Sequence, residues 1–358
     1  MELLKVDPLH PDPVVIAHAA RVLRAGGLVA FPTETVYGLG ANALDAKAVA
    51  RIYEAKGRPA WNPVIAHVAT VADAHALTSA WSPDATRLAD AFWPGPLTLV
   101  LPRSKIVPDI ATAGLNAIAI RIPNHPVALA LLRAAGRPIA APSANRFTQV
   151  SPTTAQHVLS SLGDRVDVVL DGGSCDVGIE SSVCDLSGPE PTLLRPGMIT
   201  RAQLELVLGR TVQPALRRAH DGMREGVQGD VSGTVSADDA NTARQRSPGM
   251  SDRHYAPRAD VWLFDATQTG DIARALIDRK QAGIAGRVTA LLRSTETLPF
   301  SADDVIVRMP DEPAAYARQL YAALHAADDA ASAVVVIERP PDTEPWLAVL
   351  DRLNRAAR

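Results

Sequence analysis

The stretch "LVAFPTETVYGLG", residues 28–40, indicates the fold class because it lies between two well-marked helices. Its first residues are apolar, and Pro32 breaks the strand ahead of a glycine-rich turn. Residues 12–27 start with an Asp-Pro pair and end in two glycines, which is typical of a helix. Residues 45–59 have similar boundaries, with Asp45 as the expected N-cap. A strand between helices predicts an α/β fold.

The same alternation continues along the chain and divides it into two α/β units. Apolar strands and capped helices follow one another to residue 210, which predicts an N-terminal domain (1–210) around one twisted mixed sheet. Residues 211–257 begin as a polar, glycine-rich linker and end in "SPGMSDRHYAP" (247–257). Four short apolar strands alternate with helices over residues 258–358, which predicts a small, doubly wound, Rossmann-like C-terminal domain.

The composition of the 358 residues is that of an ordinary globular protein, 47% hydrophobic and 21% charged. No apolar run reaches the length of a membrane span, and the N-terminus has acids and prolines where a signal peptide has a basic start. We therefore expect a cytoplasmic protein with no membrane partner. Cys175 and Cys184 fit neither a disulfide framework nor a zinc site, so reduced, partly buried thiols are expected.

Several function classes find little support in the sequence. The net charge of −3 does not indicate nucleic-acid binding, so any basic site must be local. "GLGANA" (38–43) matches a dinucleotide fingerprint, but the acid expected about twenty residues further on is missing. The sequence also lacks a GxxxxGK[ST] phosphate loop, a GxSxG nucleophile motif and an HExxH zinc motif.

Polar and basic residues cluster at the edges of the apolar strands. Singly, each has an ordinary structural explanation, such as a helix cap for Ser151 or a helix-dipole partner for Lys56. Arg121 interrupts an otherwise apolar strand, and a buried arginine needs a carboxylate or phosphate partner. Four basic groups and many hydroxyls at strand ends together favour a polyanionic ligand such as a nucleoside triphosphate. The basic groups are Lys56, Arg58, Arg121 and Arg195. No nucleophile or general base is evident, but phosphoryl chemistry can proceed by positioning and electrostatics.

An ordered series of motifs carries a family resemblance. It comprises "PTETVYGLG", "KGRP..NPVIAH", "FWPGPLTLVL", "AIRIPNHP", "APSAN....VSPTTAQHV", "DGG.C.VGIESSV.DL", "LLRPG" and "SPGM..RHYAP". The series resembles the YrdC-type threonylcarbamoyl-AMP synthases, in the long form that adds a linker and a C-terminal α/β domain. It covers residues from about 14 to 257 in the family order, and the last hundred residues match in layout only.

The resemblance implies an enzyme that condenses L-threonine, bicarbonate and ATP into L-threonylcarbamoyladenylate and releases pyrophosphate. The product would go to the proteins that complete N6-threonylcarbamoyladenosine at tRNA position 37. Mg²⁺ is the expected cofactor, bound with ATP, although no carboxylate site for it is legible. Direct tRNA binding by this chain has weak support.

The resemblance also implies roles for individual residues. Lys56 and Arg58 would be catalytic, neutralising phosphate charge. The ATP site would contain Lys56, Arg58, Asn62, Ser143, Asn145, Ser151, Arg195, His254 and Tyr255. The threonine site would contain Thr35, His67, Arg121 and Ser181, with Arg121 pairing the substrate carboxylate.

Three positions depart from the family pattern. Ser182 stands where Thr is usual, Arg146-Phe147 replaces a small Ser-Gly step, and Ser251-Asp252 replaces a Lys-aromatic pair. His254 and Tyr255 are kept, and we interpret residues 247–257 as a lid that closes over the nucleotide and excludes water. The alternative is a plain connection between the two domains.

Two other functions stay open at the level of sequence. The protein could be an RNA-binding or ribosome-associated protein that binds RNA through the basic sheet. Against this, aromatic residues, which could stack on bases, make up only 4% of the chain. Alternatively, the same fold could perform carbamoyl-adenylate chemistry on another acceptor. Thr35, His67 and Ser181 would discriminate between acceptors.

Overall fold

The computed structural model describes residues 1–215, 254–295 and 298–358. Most of the expected linker and residues 247–253 of the expected lid, including Ser251 and Asp252, lie outside these ranges. His254 and Tyr255 lie inside them.

The first unit contains eight helices among its described residues and packs them around one sheet. The helices are α1 (Pro13–Arg24), α2 (Ala46–Lys56), α3 (Val71–Ala76), α4 (Pro83–Phe92), α5 (Asp109–Thr112), α6 (Pro126–Ala135), α7 (Ala155–Leu162) and α8 (Arg201–Leu208). The strands are β1 (Glu2–Lys5), β2 (Val29–Phe31), β3 (Gly38–Asn42), β4 (Ile65–His67), β5 (Leu97–Pro102), β6 (Ala117–Arg121), β7 (Ile139–Ala140), β8 (Val168–Asp171), β9 (Ser182–Asp185), β10 (Thr192–Arg195) and β11 (Gln213–Pro214).

The sheet of the first unit is mixed, as expected, with the strand order β1-β8-β2-β3-β7-β4-β6-β5-β9-β10-β11. The parallel pair β4 and β6 places His67 directly opposite Arg121. Both residues are the last of their strands, so their side chains come together at one edge of the sheet. The register of this strand pair therefore builds part of the site.

The expected boundaries of the first two helices are confirmed. Asp12 caps α1 by accepting from the backbone N–H of Val14, and Asp45 caps α2 by accepting from Lys47 and Ala48. Gly57 ends α2 in the left-handed conformation, with φ of 62°. The chain then turns sharply, and this turn leads directly to Arg58.

Two local expectations were wrong. The glycine-rich segment after Pro32 is not a turn: Gly38–Asn42 forms strand β3, antiparallel to β2. A Cβ atom at Gly40 would lie 2.8 Å from Phe31 Cε1, so glycine here allows close packing within the sheet. Ser151 does not cap a helix, because the N-cap of α7 is Thr154. The three hydroxyl residues Ser151, Thr153 and Thr154 offered several possible caps.

The second unit is a small parallel α/β layer, as expected. Its strands are β12 (Asp260–Phe264), β13 (Val288–Leu292), β14 (Val305–Arg308) and β15 (Val334–Glu338), and all pair in parallel in the order β12-β15-β13-β14. Its helices are α9 (Thr269–Gln281), α10 (Pro313–Asp329) and α11 (Leu347–Ala356).

The two units share a hydrophobic core. Val36 and Ile179 of the first unit pack in one cluster with Leu320 and Tyr321 of α10. At Gly178, where φ is 82°, an added Cβ would lie 2.4 Å from the Cα of Arg318. Helix α10 therefore rests directly on the backbone of the first unit.

Both cysteines are free and buried, as expected. Burial raises the pKa of the Cys184 thiol to about 12, which keeps it protonated and unreactive at neutral pH. Among the helices of the described ranges, none has the length and apolarity needed to cross a membrane.

Candidate active site

A cavity opens at the edge of the sheet where β4 and β6 end. Its empty space is about 500 Å³, including the opening to solvent. Nine of the thirteen residues expected at the site line it: Thr35, Arg58, His67, Arg121, Ser143, Ser181, Arg195, His254 and Tyr255. The expected ATP and threonine residues therefore meet in one space.

The other four expected residues lie behind the cavity wall. Lys56 donates from Nζ to the carbonyl oxygens of Ser143, at 2.6 Å, and Asn145, at 2.5 Å. Asn145 in turn donates from Nδ2 to the carbonyl oxygens of Arg146 and Gln149. Lys56 and Asn145 thus fix the loop that presents Ser143 to the cavity. Burial and the nearby Arg58 hold the pKa of Lys56 well below its ordinary value.

Asn62 acts as the partner of Arg58. Arg58 donates from Nη2 to Asn62 Oδ1 at 2.6 Å and to the carbonyl of Pro63 at 2.8 Å. Its Nε donates to the carbonyl of Asn62. Burial lowers the pKa of Arg58 to about 10, so the guanidinium is still charged at neutral pH. The cation is held in one orientation at the cavity wall.

Arg121 has the carboxylate partner that a buried arginine requires, and the partner is Glu34. Arg121 Nη2 lies 2.6 Å from Glu34 Oε1. Nη1 donates to Thr35 Oγ1 at 2.8 Å, and Nε donates to the carbonyl of Gly95. Sequence reasoning missed Glu34, although it lies within the quoted "PTET" stretch. An acid next to hydroxyl residues after a strand was the available signal.

His67 is neutral in this environment. Burial and the adjacent Arg121 lower its pKa to about 3. No hydrogen-bond partner for His67 Nδ1 occurs within the described part of the chain. His67 lines the cavity, and a neutral imidazole with an unused nitrogen can donate to or accept from a small polar ligand.

Ser181 and Arg195 also line the cavity and contact each other. Arg195 donates from Nε to the carbonyl of Ser181 at 3.0 Å and from Nη2 to Ser181 Oγ at 3.2 Å. Thr98 Oγ1 lies 2.8 Å from the same hydroxyl. These contacts hold the Ser181 side chain in place and tie the start of β9 to the end of β10.

Glu180 is a second residue that sequence reasoning missed. It lines the cavity and accepts hydrogen bonds from Ser151 Oγ at 2.5 Å, Tyr321 OH at 3.0 Å and Arg352 Nε at 2.8 Å. Burial alone would raise the pKa of Glu180, but Arg352 and Arg195 outweigh that effect and lower it. The carboxylate is ionised. Two of its three partners, Tyr321 and Arg352, belong to the second unit, so Glu180 connects the two units. Ser151 is therefore a partner of Glu180.

His254 and Tyr255 reach the cavity from the second half of the chain. His254 donates its backbone N–H to the carbonyl of Arg355, and Ala256 donates to that of Thr148. The His254 ring meets Phe147 edge-on at 5.7 Å between centroids. Phe147, one of the departures from the family pattern, thus contacts the histidine. These contacts hold the segment between the 146–149 loop and α11.

No group of three or more His, Cys, Asp or Glu suited to a metal ion occurs in the described ranges. Glu180 lines the cavity, and Glu34 pairs with the lining residue Arg121; each of the two carboxylates is engaged by an arginine. These residues do not form a protein cage for Mg²⁺, which commonly binds through substrate phosphates and water instead.

The mixed sheet and a cavity with three arginines define a site of the kind that binds an anionic substrate. Residues 21–197 match the Sua5/YciO/YrdC family model described as Telomere recombination. Residues 199–358 match the model described as Threonylcarbamoyl-AMP synthase, C-terminal domain.

Full-length relatives and solved structures agree with these matches. The threonylcarbamoyl-AMP synthase of Pyrococcus abyssi is 40% identical over 95% of this chain and 93% of its own. That of Bacillus subtilis is 40% identical over 98% and 95%. The crystal structure of P. abyssi Sua5 complexed with L-threonine is 36% identical, with a TM-score of 0.86 over 100% of this chain and 98% of that chain. The chain belongs to the threonylcarbamoyl-AMP synthase family, in its two-domain Sua5 form, and these enzymes are of the nucleotidyltransferase type.

Proposed function

We propose that the cavity binds ATP and L-threonine side by side and joins them through bicarbonate as L-threonylcarbamoyladenylate. The observation that carries the proposal is the convergence of Arg58, Arg121 and Arg195 from three separate elements on one cavity. Such a set of fixed cations suits two anionic substrates, a triphosphate and an amino-acid carboxylate. Membership of the family favours this function over RNA binding and over another acceptor.

The nucleotide would lie between Arg58 and Arg195. Both guanidinium groups are held by backbone carbonyls, so they need little rearrangement to stabilise charge that develops at the α-phosphate. Ser143 offers a hydroxyl from the loop that Lys56 and Asn145 fix. Lys56 would act mainly by holding this loop and by placing a positive charge behind it. Asn62 and Ser151 would act through Arg58 and Glu180.

Threonine would lie between Thr35, His67, Arg121 and Ser181. Arg121 would pair its carboxylate, and the neutral His67 would contact its polar atoms. The amine of threonine adds to bicarbonate with loss of water and gives a carbamate. An oxygen of the carbamate then attacks the α-phosphorus, and pyrophosphate leaves. The role of this chain is to orient both reactants and to stabilise charge.

Magnesium would enter with ATP and neutralise the leaving pyrophosphate. Because Glu34 and Glu180 are engaged by arginines, the phosphates themselves and water would supply its ligands. His254 and Tyr255 would cover the nucleotide and shield the reactive adenylate from water. The product would pass to the proteins that transfer the threonylcarbamoyl group to tRNA, and we do not assign a tRNA-binding surface to this chain.

The test is pyrophosphate release by the full chain from ATP, bicarbonate and Mg²⁺, with and without L-threonine. We expect release that depends on threonine and is abolished in Arg58→Ala. Lys56→Ala should also abolish it, through the loop. Arg133→Ala is a matched control, because Arg133 is an exposed arginine in the last turn of α6. Absence of release under all combinations contradicts the proposal and directs the next test to RNA binding.

The lid is tested separately by His254→Ala/Tyr255→Ala. The solved P. abyssi Sua5 structures include a double variant in which an adjacent His and Tyr are both Ala, with a TM-score of 0.86 to this chain. Such a change is therefore compatible with folding in this family. We expect the double variant to lose most adenylate synthesis at a temperature where it is still folded, although removal of two buried rings should lower its melting temperature. Unchanged synthesis contradicts the lid.

A further inference from the structure

Arg352 extends from the second unit into the wall of the active site. It lies on α11, and its side chain has no exposed surface. Its Nε lies 2.8 Å from Glu180 Oε2, and Nη2 donates to the carbonyl of Glu180 at 3.3 Å. Its Nη1 donates to the carbonyl of Pro196 at 2.9 Å and to Asp351 Oδ2 at 2.8 Å. One guanidinium therefore contacts two separate segments of the first unit.

These two segments carry substrate-facing residues. Glu180 precedes Ser181, and Pro196 follows Arg195. Ser181 and Arg195 are joined by two hydrogen bonds. Arg352 joins their chain neighbours Glu180 and Pro196, so the two segments are linked twice. Arg352 Cζ also lies 5.3 Å from the centre of the Tyr255 ring, which lines the cavity. The positions of three site residues thus depend on one side chain of the second unit.

The energetics of the Arg352–Glu180 ion pair indicate that it fixes the positions of neighbouring groups rather than adding stability. Burying two charges costs about as much as their attraction returns, and apolar replacements of buried ion pairs are often neutral or stabilising. The side chain makes directed bonds to two carboxylates and two backbone carbonyls, which requires the planar fork of arginine. Lysine would keep the charge but could not reach all four acceptors in this geometry.

We propose that Arg352 is a positioning residue for the synthase reaction, by which the second unit sets the placement of Ser181, Arg195 and Tyr255. It touches neither substrate. The inference rests on the proposed function, since Ser181 and Arg195 matter only if they bind threonine and ATP. It gives the C-terminal domain a role in catalysis, because that domain supplies the guanidinium that holds Glu180 and the carbonyl of Pro196 in place.

The test compares steady-state kinetics of the full chain with those of Arg352→Lys, with melting temperatures measured in parallel. We expect kcat/KM for L-threonine and for ATP to fall by about tenfold to a hundredfold. The fall should persist at temperatures well below the melting transition. Arg339→Lys is the matched control, because Arg339 pairs with Asp265 and Asn354 within the second unit and does not cross the interface. It should keep wild-type kinetics.

A second variant separates positioning from folding. Glu180→Gln/Arg352→Met removes both charges of the pair, and Asp351, the other carboxylate partner of Arg352, keeps its contact with Arg355, so the fold should be kept. We expect it to show the same loss of kcat/KM as Arg352→Lys. Wild-type kinetics in both variants overturn the inference, as does a loss of activity that only tracks the unfolded fraction. If the wild-type chain itself releases no pyrophosphate, the proposed function fails. That result differs from failure of the inference about Arg352, in which the wild type is active and the variants are equally active.

Discussion

Arg121 and Glu34 form a buried ion pair at the cavity, with 2.6 Å between Nη2 and Oε1. The proposed role of Arg121 is to pair the carboxylate of threonine, in which case the substrate and Glu34 would share one guanidinium. Because Thr35 and Gly95 occupy two further donors, the orientation of the guanidinium is fixed before substrate enters. Arg121 therefore has a structural role and a proposed binding role, and the two need separate tests.

Arg121→Met should lower the free energy of unfolding by about 3–5 kcal/mol, because it leaves Glu34 as an unpaired buried charge. Glu34→Gln/Arg121→Met should recover most of that loss without recovering threonine-dependent activity. Denaturant unfolding and pyrophosphate release measure the two effects. Arg51→Met is the control: its half-exposed pair with Asp167 should contribute no more than about 1 kcal/mol. Activity in the stable double variant would remove Arg121 from the threonine site.

Tyr255→Phe should leave the stability unchanged or raise it by about 1 kcal/mol, because the buried hydroxyl has no partner within the described residues. The KM for ATP should rise roughly twofold to tenfold, the value of one lost hydrogen bond to the nucleotide. Tyr316→Phe offers a close control, since the Tyr316 hydroxyl is likewise buried without a partner in the described ranges but does not line the cavity. An equal KM in the two variants would show that the Tyr255 hydroxyl does not contact ATP.

The stability of the protein should fall as the pH is lowered from about 6.5 towards 4, partly through His67. Burial lowers the pKa of His67 in the folded state to about 3, whereas the unfolded chain takes up the proton near the ordinary value of 6.5. The unfolded state therefore binds more protons in this window, and acid favours unfolding. His67→Gln should reduce the slope of unfolding free energy against pH by up to about 1.4 kcal/mol per unit. The exposed His10→Gln serves as control, and identical slopes in wild type and His67→Gln would refute the assignment.

Thr148→Gly should stabilise the protein by up to about 1 kcal/mol. Thr148 has a φ of 70°, in the left-handed region that a β-branched residue adopts at a cost. Its carbonyl, which accepts from Ala256, is kept in the variant, so pyrophosphate release should not change. Thr192→Gly, within strand β10, should instead lose about 1 kcal/mol. Thermal unfolding of both variants decides whether strain at position 148 is real.

The sequence was sufficient to predict most of the elements, although not strand β3, and nine of the residues that line the cavity. Capping residues such as Asp12 and Asp45 act within a few residues of the helix they start, so local reading finds them. Arg121 could be predicted to need an anionic partner, because an arginine inside an apolar strand must be compensated.

The partners themselves could not be predicted. Glu34 and Arg121 are far apart in the chain, and only the strand order brings them together. Arg352 lies in a helix that reads as an ordinary amphipathic segment, and its contact with Glu180 depends on how the two units pack. The cap of α7 was misassigned because Ser151 and Thr154 are equivalent in propensity, and tertiary contact with Glu180 decides between them.

The close approach of α10 to Gly178 has a consequence for how this protein can be altered. Any side chain at position 178 would act as a wedge against the Arg318 backbone and tilt the helix away. The two halves of the chain are therefore not interchangeable modules, although each has its own sheet. A chimera with the C-terminal half of a relative must keep this contact, with glycine at position 178 and the helix backbone at residues 317–318 packed against it. Evolution of either half is constrained at this point by the other.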